Sequence, residues 1–158
     1  MTDNEILKNI KNYFNIKELV DKATYNAHGE RAWKFLDIRL LEIIIIIRET
    51  INKPISVNSW HKGGSQQQRG LRTNICDIVK KKTKAGKLYL SAHTMGKALD
   101  FDVEDMTAPE VRKWLVANGH IFPYKIRLED TLGGKQISWV HLDIYHEDKN
   151  PHVYLMAV

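Results

Sequence analysis

The chain has 158 residues, enough for one domain with a hydrophobic core. Its hydrophobic fraction of 43% and charged fraction of 27% are ordinary for a globular protein and exclude a disordered or collagen-like chain. A single cysteine, Cys76, excludes an intramolecular disulfide. The formal net charge of +5 suits an anionic partner such as nucleic acid, a membrane or a bacterial wall, and equally suits solubility alone.

The first third of the chain is expected to be helical. Residues 4–13 and 16–23 are predicted as short helices that pack as an N-terminal extension, 1–30, on a single domain spanning 1–158. A longer helix is predicted over about 31–51, because apolar residues recur there at helical spacings of three and four. These residues are Trp33, Leu36, Leu40, Ile43, Ile44 and Ile47.

The remaining sequence predicts short strands interrupted by two helices. Strands are predicted at 55–58, 88–90, 98–103, 124–128, 138–145 and 153–158. One helix is predicted over 66–82, and a second begins after Thr107, a good N-cap residue, and ends at Gly119. This order of elements predicts an α+β domain whose small antiparallel sheet carries the functional site and is flanked by the N-terminal helices.

The sequence also predicts where the protein is made. The first fifteen residues are polar and charged, without the apolar stretch of a signal peptide. The longest apolar run, Ile43 to Ile47, is too short to cross a bilayer. We therefore expect synthesis in a cytoplasm without an export signal.

A metal site is predicted around His93 and Asp100. These residues stand seven apart, so they converge only if the loop holding His93 folds back onto the strand holding Asp100. Gly96 would supply the backbone freedom for that return, and Ala98 is small enough for the backbone to pass close to a bound ion.

A third ligand is predicted on the strand at 138–145. Alternation along a strand puts Trp139, His141 and Asp143 on one face and apolar residues on the other. Two histidines and one carboxylate, with a fourth position left to water, form a known ligand set for catalytic zinc. Iron or manganese could occupy the same set, so zinc is the preferred ion and the alternatives stay open.

Two motifs in these segments carry a family resemblance. Ser-x-His-x-x-Gly-x-Ala-x-Asp from Ser91 to Asp100, and Trp-Val-His-Leu-Asp from Trp139 to Asp143, resemble the M15 family of zinc peptidases, which have the hedgehog-type fold. That family includes D-alanyl-D-alanine carboxypeptidases, vancomycin-resistance dipeptidases and phage endolysins that cut L-alanyl-D-glutamate bonds. The resemblance covers residues 16–144, most of the chain.

The resemblance implies roles for individual residues. It implies that His93, Asp100 and His141 are ligands of Zn²⁺, and that Ser91 supports the ligand geometry from outside. It also implies that the substrate is the stem peptide of bacterial peptidoglycan.

Two carboxylates are candidates for the catalytic base. Many members of the family have an acidic residue three positions before the last histidine, where this chain has Ser138. Asp143 shares the face of His141 and is the first choice for the base, and Glu129 is the second. Asp143 could equally be a residue that only orients a ligand.

The substrate-binding residues are expected in the loop before the metal segment. The family tends to have an arginine there, which would hold a substrate carboxylate or oxyanion; Lys62 or Arg69 could serve here. Gln67 and its neighbouring glutamines suit peptide amides, and equally suit a solvated surface.

The leading functional hypothesis is a zinc peptidase that hydrolyses peptidoglycan stem peptide. The D-Ala-D-Ala carboxypeptidase and L-Ala-D-Glu endopeptidase types both stay open, and the absence of a signal peptide suits a phage endolysin or virion-associated lysin acting at the cell wall. We expect a monomer with no membrane or nucleic-acid partner.

Two alternatives accompany this hypothesis. The first is a catalytically inactive metal-binding scaffold or phage structural protein, which Ser138 keeps open. The second is a metal-dependent nuclease, which would bring basic residues to the metal segment. The acidic residues Asp100, Asp102, Glu104 and Asp105 disfavour it, because they would repel phosphate.

Overall fold

The computed structural model describes all 158 residues and has the predicted α+β class. Its α-helices are α1 (Asp3–Ile10), α2 (Ile16–Leu19), α3 (Lys22–His28), α4 (Ile38–Ile51), α5 (Asp77–Lys84) and α6 (Ala108–Ala117). Its strands are β1 (Ile55–Ser56), β2 (Ala98–Val103), β3 (Ile126–Leu132), β4 (Lys135–Asp143) and β5 (Val153–Ala157). Short 3₁₀ segments span Gly29–Phe35, Trp60–Lys62 and Gly119–Ile121. None of the helices combines the length and apolar character needed to cross a membrane.

The five strands form one sheet in the order β1-β2-β4-β3-β5. All neighbouring pairs are antiparallel except β3 and β5, which are parallel. The predicted antiparallel sheet is therefore mixed. The reason is the loop at 144–152, which crosses β3 so that β5 pairs with β3 at the edge of the sheet. Lys125 stabilises this loop by donating hydrogen bonds to the carbonyls of Asp148 and Asn150.

One hydrophobic core unites the helices with one face of the sheet. Leu99 and Phe101 of β2 and Leu142 of β4 are fully buried there. The isoleucine run of α4 is buried on nearly every side, which explains why it has no polar face. The other face of the sheet carries the polar side chains predicted for the site.

The long helix begins later than predicted. Leu36 is extended, and the helix starts at Ile38 with Asp37 as its N-cap, whose carboxylate accepts a hydrogen bond from the Arg39 amide at 3.0 Å. The Asp37 amide donates to the carbonyl of Gly96 at 2.9 Å. This tertiary contact with Gly96 fixes the point at which the long helix begins. The predicted helix at 16–23 is likewise divided, because Asp21 caps α3.

The helix predicted at 66–82 is wrong over its first part, since α5 begins only at Asp77. The backbone before it hydrogen-bonds to distant segments: Leu71 to Leu19, Arg72 to His93, and Asp100 to Arg69. These partners satisfy groups that a helix would have paired internally. The strand predicted at 88–90 is also absent, and both of its leucines are exposed.

Candidate metal centre

Strands β2, β4 and β3 place three polar side chains in one row across the sheet. Asp100 lies opposite His141, and His141 lies opposite Glu129. Opposed residues on neighbouring strands point to the same face, so the three side chains project from the same side. Trp139 and Asp143 line the same cleft, which confirms the predicted polar face of β4.

His93 reaches this row from a tight turn at residues 91–97. Ser91 and Thr94 stabilise the turn: the Ser91 amide donates to the Thr94 hydroxyl at 3.0 Å, and that hydroxyl donates to the Ser91 carbonyl at 2.8 Å. Ser91 makes no hydrogen bond to a ligand side chain. It supports His93 by shaping the turn that carries it.

Gly96 allows this turn to return to β2. Its φ of +67° lies in the left-handed region that favours glycine. A Cβ atom at this position would overlap the carbonyl oxygen of Phe35. The prediction that Gly96 folds the turn back is confirmed, and the structure adds a steric requirement for glycine that the sequence did not show.

The three predicted ligands converge into one buried cluster. His93 Nε2 lies 3.3 Å from His141 Nδ1 and 3.3 Å from Asp100 Oδ1, and His141 Nδ1 lies 2.8 Å from Asp100 Oδ1. All three residues are buried, and this group could hold a metal ion.

The second polar atom of each candidate ligand also forms a hydrogen bond. His93 Nδ1 donates to the carbonyl of Gly70 at 2.8 Å, and His141 Nε2 donates to Asp143 Oδ2 at 3.0 Å. Arg72 donates to Asp100 Oδ2 at 3.1 Å. These bonds leave His93 Nε2, His141 Nδ1 and Asp100 Oδ1 facing one another, which is the orientation that metal-binding histidines and carboxylates require.

Two of the three distances fit the spacing expected around a tetrahedral ion. Zinc bonds of about 2.0–2.1 Å at tetrahedral angles place neighbouring ligand atoms about 3.3–3.4 Å apart. The two distances from His93 Nε2 match this spacing. The shorter third distance is that of a hydrogen bond between His141 Nδ1 and Asp100 Oδ1.

The charges of the cluster shift its pKa values strongly. Burial lowers the pKa of His141, but hydrogen bonds to Asp100 and Asp143 outweigh that effect and raise the pKa to about 9. Burial raises the pKa of Asp100, but hydrogen bonds to His141 and His93 prevail and hold it well below its usual range. The raised pKa favours a protonated His141 in the metal-free protein, and a bound cation would compete with that proton.

Asp143 is fully buried on the far side of His141 from the ligand atom. Arg127 binds its carboxylate through two hydrogen bonds of 2.8 and 3.0 Å, and the Tyr145 amide donates a third at 2.8 Å. With the bond from His141 Nε2, both carboxylate oxygens are fully engaged. This position suits orientation of His141 and leaves no free lone pair for a proton from substrate or water.

Glu129 is placed differently. Its side chain is 22% exposed and lines the cleft that contains His93, Asp100 and His141. Its Oε1 lies 3.8 Å from His141 Nε2, and it forms no hydrogen bond with another side chain. Glu129 is thus an accessible carboxylate beside the ligands.

Of the three predicted substrate-binding residues, the structure brings two to the site. Gln67 and Arg69 line a groove that contains the ligand Asp100. Lys62 lies in the exposed 3₁₀ segment after β1 and lines neither groove at the ligands. Arg69 is paired with Asp102 at 2.6 Å, so its charge is already matched.

Arg72 is a site residue that the sequence did not indicate. Besides binding Asp100, its guanidinium donates to the Tyr89 hydroxyl at 2.9 Å and to the Gln68 carbonyl at 2.7 Å. The sequence placed Arg72 within a predicted helix, outside either motif. Only the irregular path of residues 66–76 brings it to the ligand, so no local pattern could have identified it.

Comparison with protein-family models, with curated proteins and with solved structures gave no match. The resemblance to the M15 peptidases therefore rests on the motif residues of the sequence alone.

Proposed function

We propose that the chain is a zinc-dependent peptidase that hydrolyses the stem peptide of peptidoglycan at the bacterial cell wall. The observation that carries the proposal is the convergence of His93, Asp100 and His141 in a buried cluster to which each residue offers one ligand atom. The hydrogen bonds that orient the three residues add support. His93 binds the Gly70 carbonyl, His141 binds Asp143 and Asp100 binds Arg72, and a purely structural histidine pair needs no such orientation.

Zinc at this site would act as a Lewis acid and lower the pKa of a water ligand. The chain's own residues supply the rest. Glu129 would accept the proton of the attacking water and return it to the leaving amine, because it is the accessible carboxylate in the cleft. Asp143 and Arg72 hold His141 and Asp100 in their ligand orientations.

Metal content and hydrolysis test the proposal together. The wild-type protein is expected to hold about one zinc per chain and to release new amino termini from purified peptidoglycan. His141→Ala should lose both, and His120→Ala, which removes an exposed histidine away from the cluster, should lose neither. Failure to bind metal after zinc reconstitution would overturn the proposal.

Glu129→Gln separates metal binding from catalysis. The amide cannot accept the proton, so hydrolysis should fall by about 10²-fold or more while zinc stays bound. Zinc binding by the wild type without release from several wall types would instead favour an inactive metal-binding scaffold.

A further inference from the structure

The candidate metal centre lies where two grooves meet. The first, which we call the amide groove, has a volume of about 400 Å³ and is lined by Gln66, Gln67, Gln68, Arg69 and Ser138, among others. The second, the histidine groove, has a volume of about 470 Å³ and includes His93, His141, Glu129, Arg127 and Tyr145. Arg72, Asp100 and Trp139 line both. The cleft therefore continues past the ligands in two directions.

We propose that the substrate chain runs through both grooves, so that the enzyme is an endopeptidase rather than a carboxypeptidase. This inference rests on the proposed function and decides which type of bond is cut.

The charges of the cleft carry the inference. A carboxypeptidase must hold the terminal carboxylate one residue from the cleaved bond, and a charged hydrogen bond to a free cation is the strongest way to do so. Three guanidinium groups line the grooves, and each is paired with an aspartate. The pairs are Arg69 with Asp102 at 2.6 Å, Arg72 with Asp100 at 3.1 Å, and Arg127 with Asp143 at 2.8 Å.

The remaining cation in the cleft is Lys82 of α5. It is exposed, forms no ion pair and lines the histidine groove together with Leu90 and Val158. A flexible exposed ammonium is a weak anchor compared with a guanidinium fork. Lys82 therefore provides the control variant for this inference.

The amide groove is suited to the middle of a peptide rather than to its charged end. The side chains of Gln67 and Ser138 form no hydrogen bond within the protein. A glutamine amide and a serine hydroxyl each donate and accept, which matches the alternating N–H and C=O groups of a peptide backbone. A carboxylate, by contrast, only accepts.

The test uses N-acetylated stem pentapeptide with either a free carboxylate or an amide at its C-terminus, and the zinc-loaded protein. Mass spectrometry identifies the products. We expect internal cleavage of both peptides, with kcat/KM values within about threefold of each other. Lys82→Ala should leave their ratio unchanged, and Gln67→Ala should lower both values equally, through KM.

Release of the terminal residue alone, with about a 100-fold loss of kcat/KM on amidation, would overturn the inference while leaving the peptidase proposal intact. The inference would also be overturned if the wild type preferred the free-carboxylate peptide and Lys82→Ala removed that preference in kcat/KM. Lys82 would then be the residue that binds the terminal carboxylate. Hydrolysis of neither peptide by the zinc-loaded protein would count against the proposed function itself, and the inference would fall with it.

Discussion

Two of the candidate ligands lie on paired strands and the third lies on a turn, and different interactions stabilise the two regions. Asp100 and His141 are opposed in adjacent strands, so the backbone ladder fixes their spacing. His93 depends on the path of residues 91–97, which is set by contacts with Gly70 and with the start of α4.

The groups that hydrogen-bond to the candidate ligands differ in the same way. On the sheet, side chains orient the ligands: Asp143 holds His141, and Arg72 holds Asp100. On the turn, the partner of His93 is the carbonyl of Gly70, which no side-chain substitution removes. Side-chain hydrogen bonds therefore orient the candidate ligands on the sheet, whereas backbone conformation and packing position the one on the turn.

The largest expected effect comes from breaking the turn. Gly96→Ala should lower the free energy of unfolding by about 3 kcal/mol, because left-handed φ and overlap with the Phe35 carbonyl both oppose a side chain. Gly86→Ala is the matched control: Gly86 has the same sign of φ but no atom near its Cβ position, so the loss should be about 1 kcal/mol. Urea unfolding measures both, and equal losses would contradict the packing role of Gly96.

The second effect is a pH dependence of the metal-free protein. The folded pKa of His141, about 9, lies above its usual 6.5, so its protonated form stabilises the fold below pH 6.5. That stability, on the order of 2–3 kcal/mol, should be lost as the pH rises through 9. Saturating zinc should abolish the loss, because the metal replaces the proton. Urea unfolding at pH 6 and pH 9.5 with and without zinc tests this, and equal stability of the metal-free protein at both pH values would contradict it.

A third test addresses Asp143, which hydrogen-bonds to His141 on the sheet. Asp143→Asn should weaken zinc binding about 10- to 100-fold, because His141 loses its anionic partner and Arg127 loses its ion pair. Asp102→Asn, which changes a half-exposed aspartate on β2, should weaken it less than about threefold. Competition with a zinc-binding dye measures both affinities. An equal effect of the two variants would show that Asp143 does not orient the ligand.

The smallest expected effect lies outside both halves of the site. Leu88 is 87% exposed in a segment where the sequence predicted a strand. Leu88→Ser should change the free energy of unfolding by no more than about 0.5 kcal/mol, because no buried contact is lost. Thermal unfolding measures the change. A loss of 2 kcal/mol or more would show that this segment packs as the sequence predicted.

The elements with local signals could be predicted from the sequence. Thr107 caps α6 as predicted. The alternation in β4 placed His141 on the polar face, and the spacing from His93 to Asp100 predicted a turn at Gly96. Capping, strand alternation and glycine conformations depend on residues within a few positions of one another, so the sequence displays them directly.

Tertiary structure decided the rest. The segment before α5 has a helix-compatible sequence, yet its backbone pairs with Leu19, His93 and Asp100, residues that no local window contains. The same path brings Arg72 to Asp100. The difference between Asp143 and Glu129 also required the structure, because the ion pair that engages Asp143 comes from Arg127 on a neighbouring strand. Contacts between distant segments override local propensity wherever they satisfy buried polar groups.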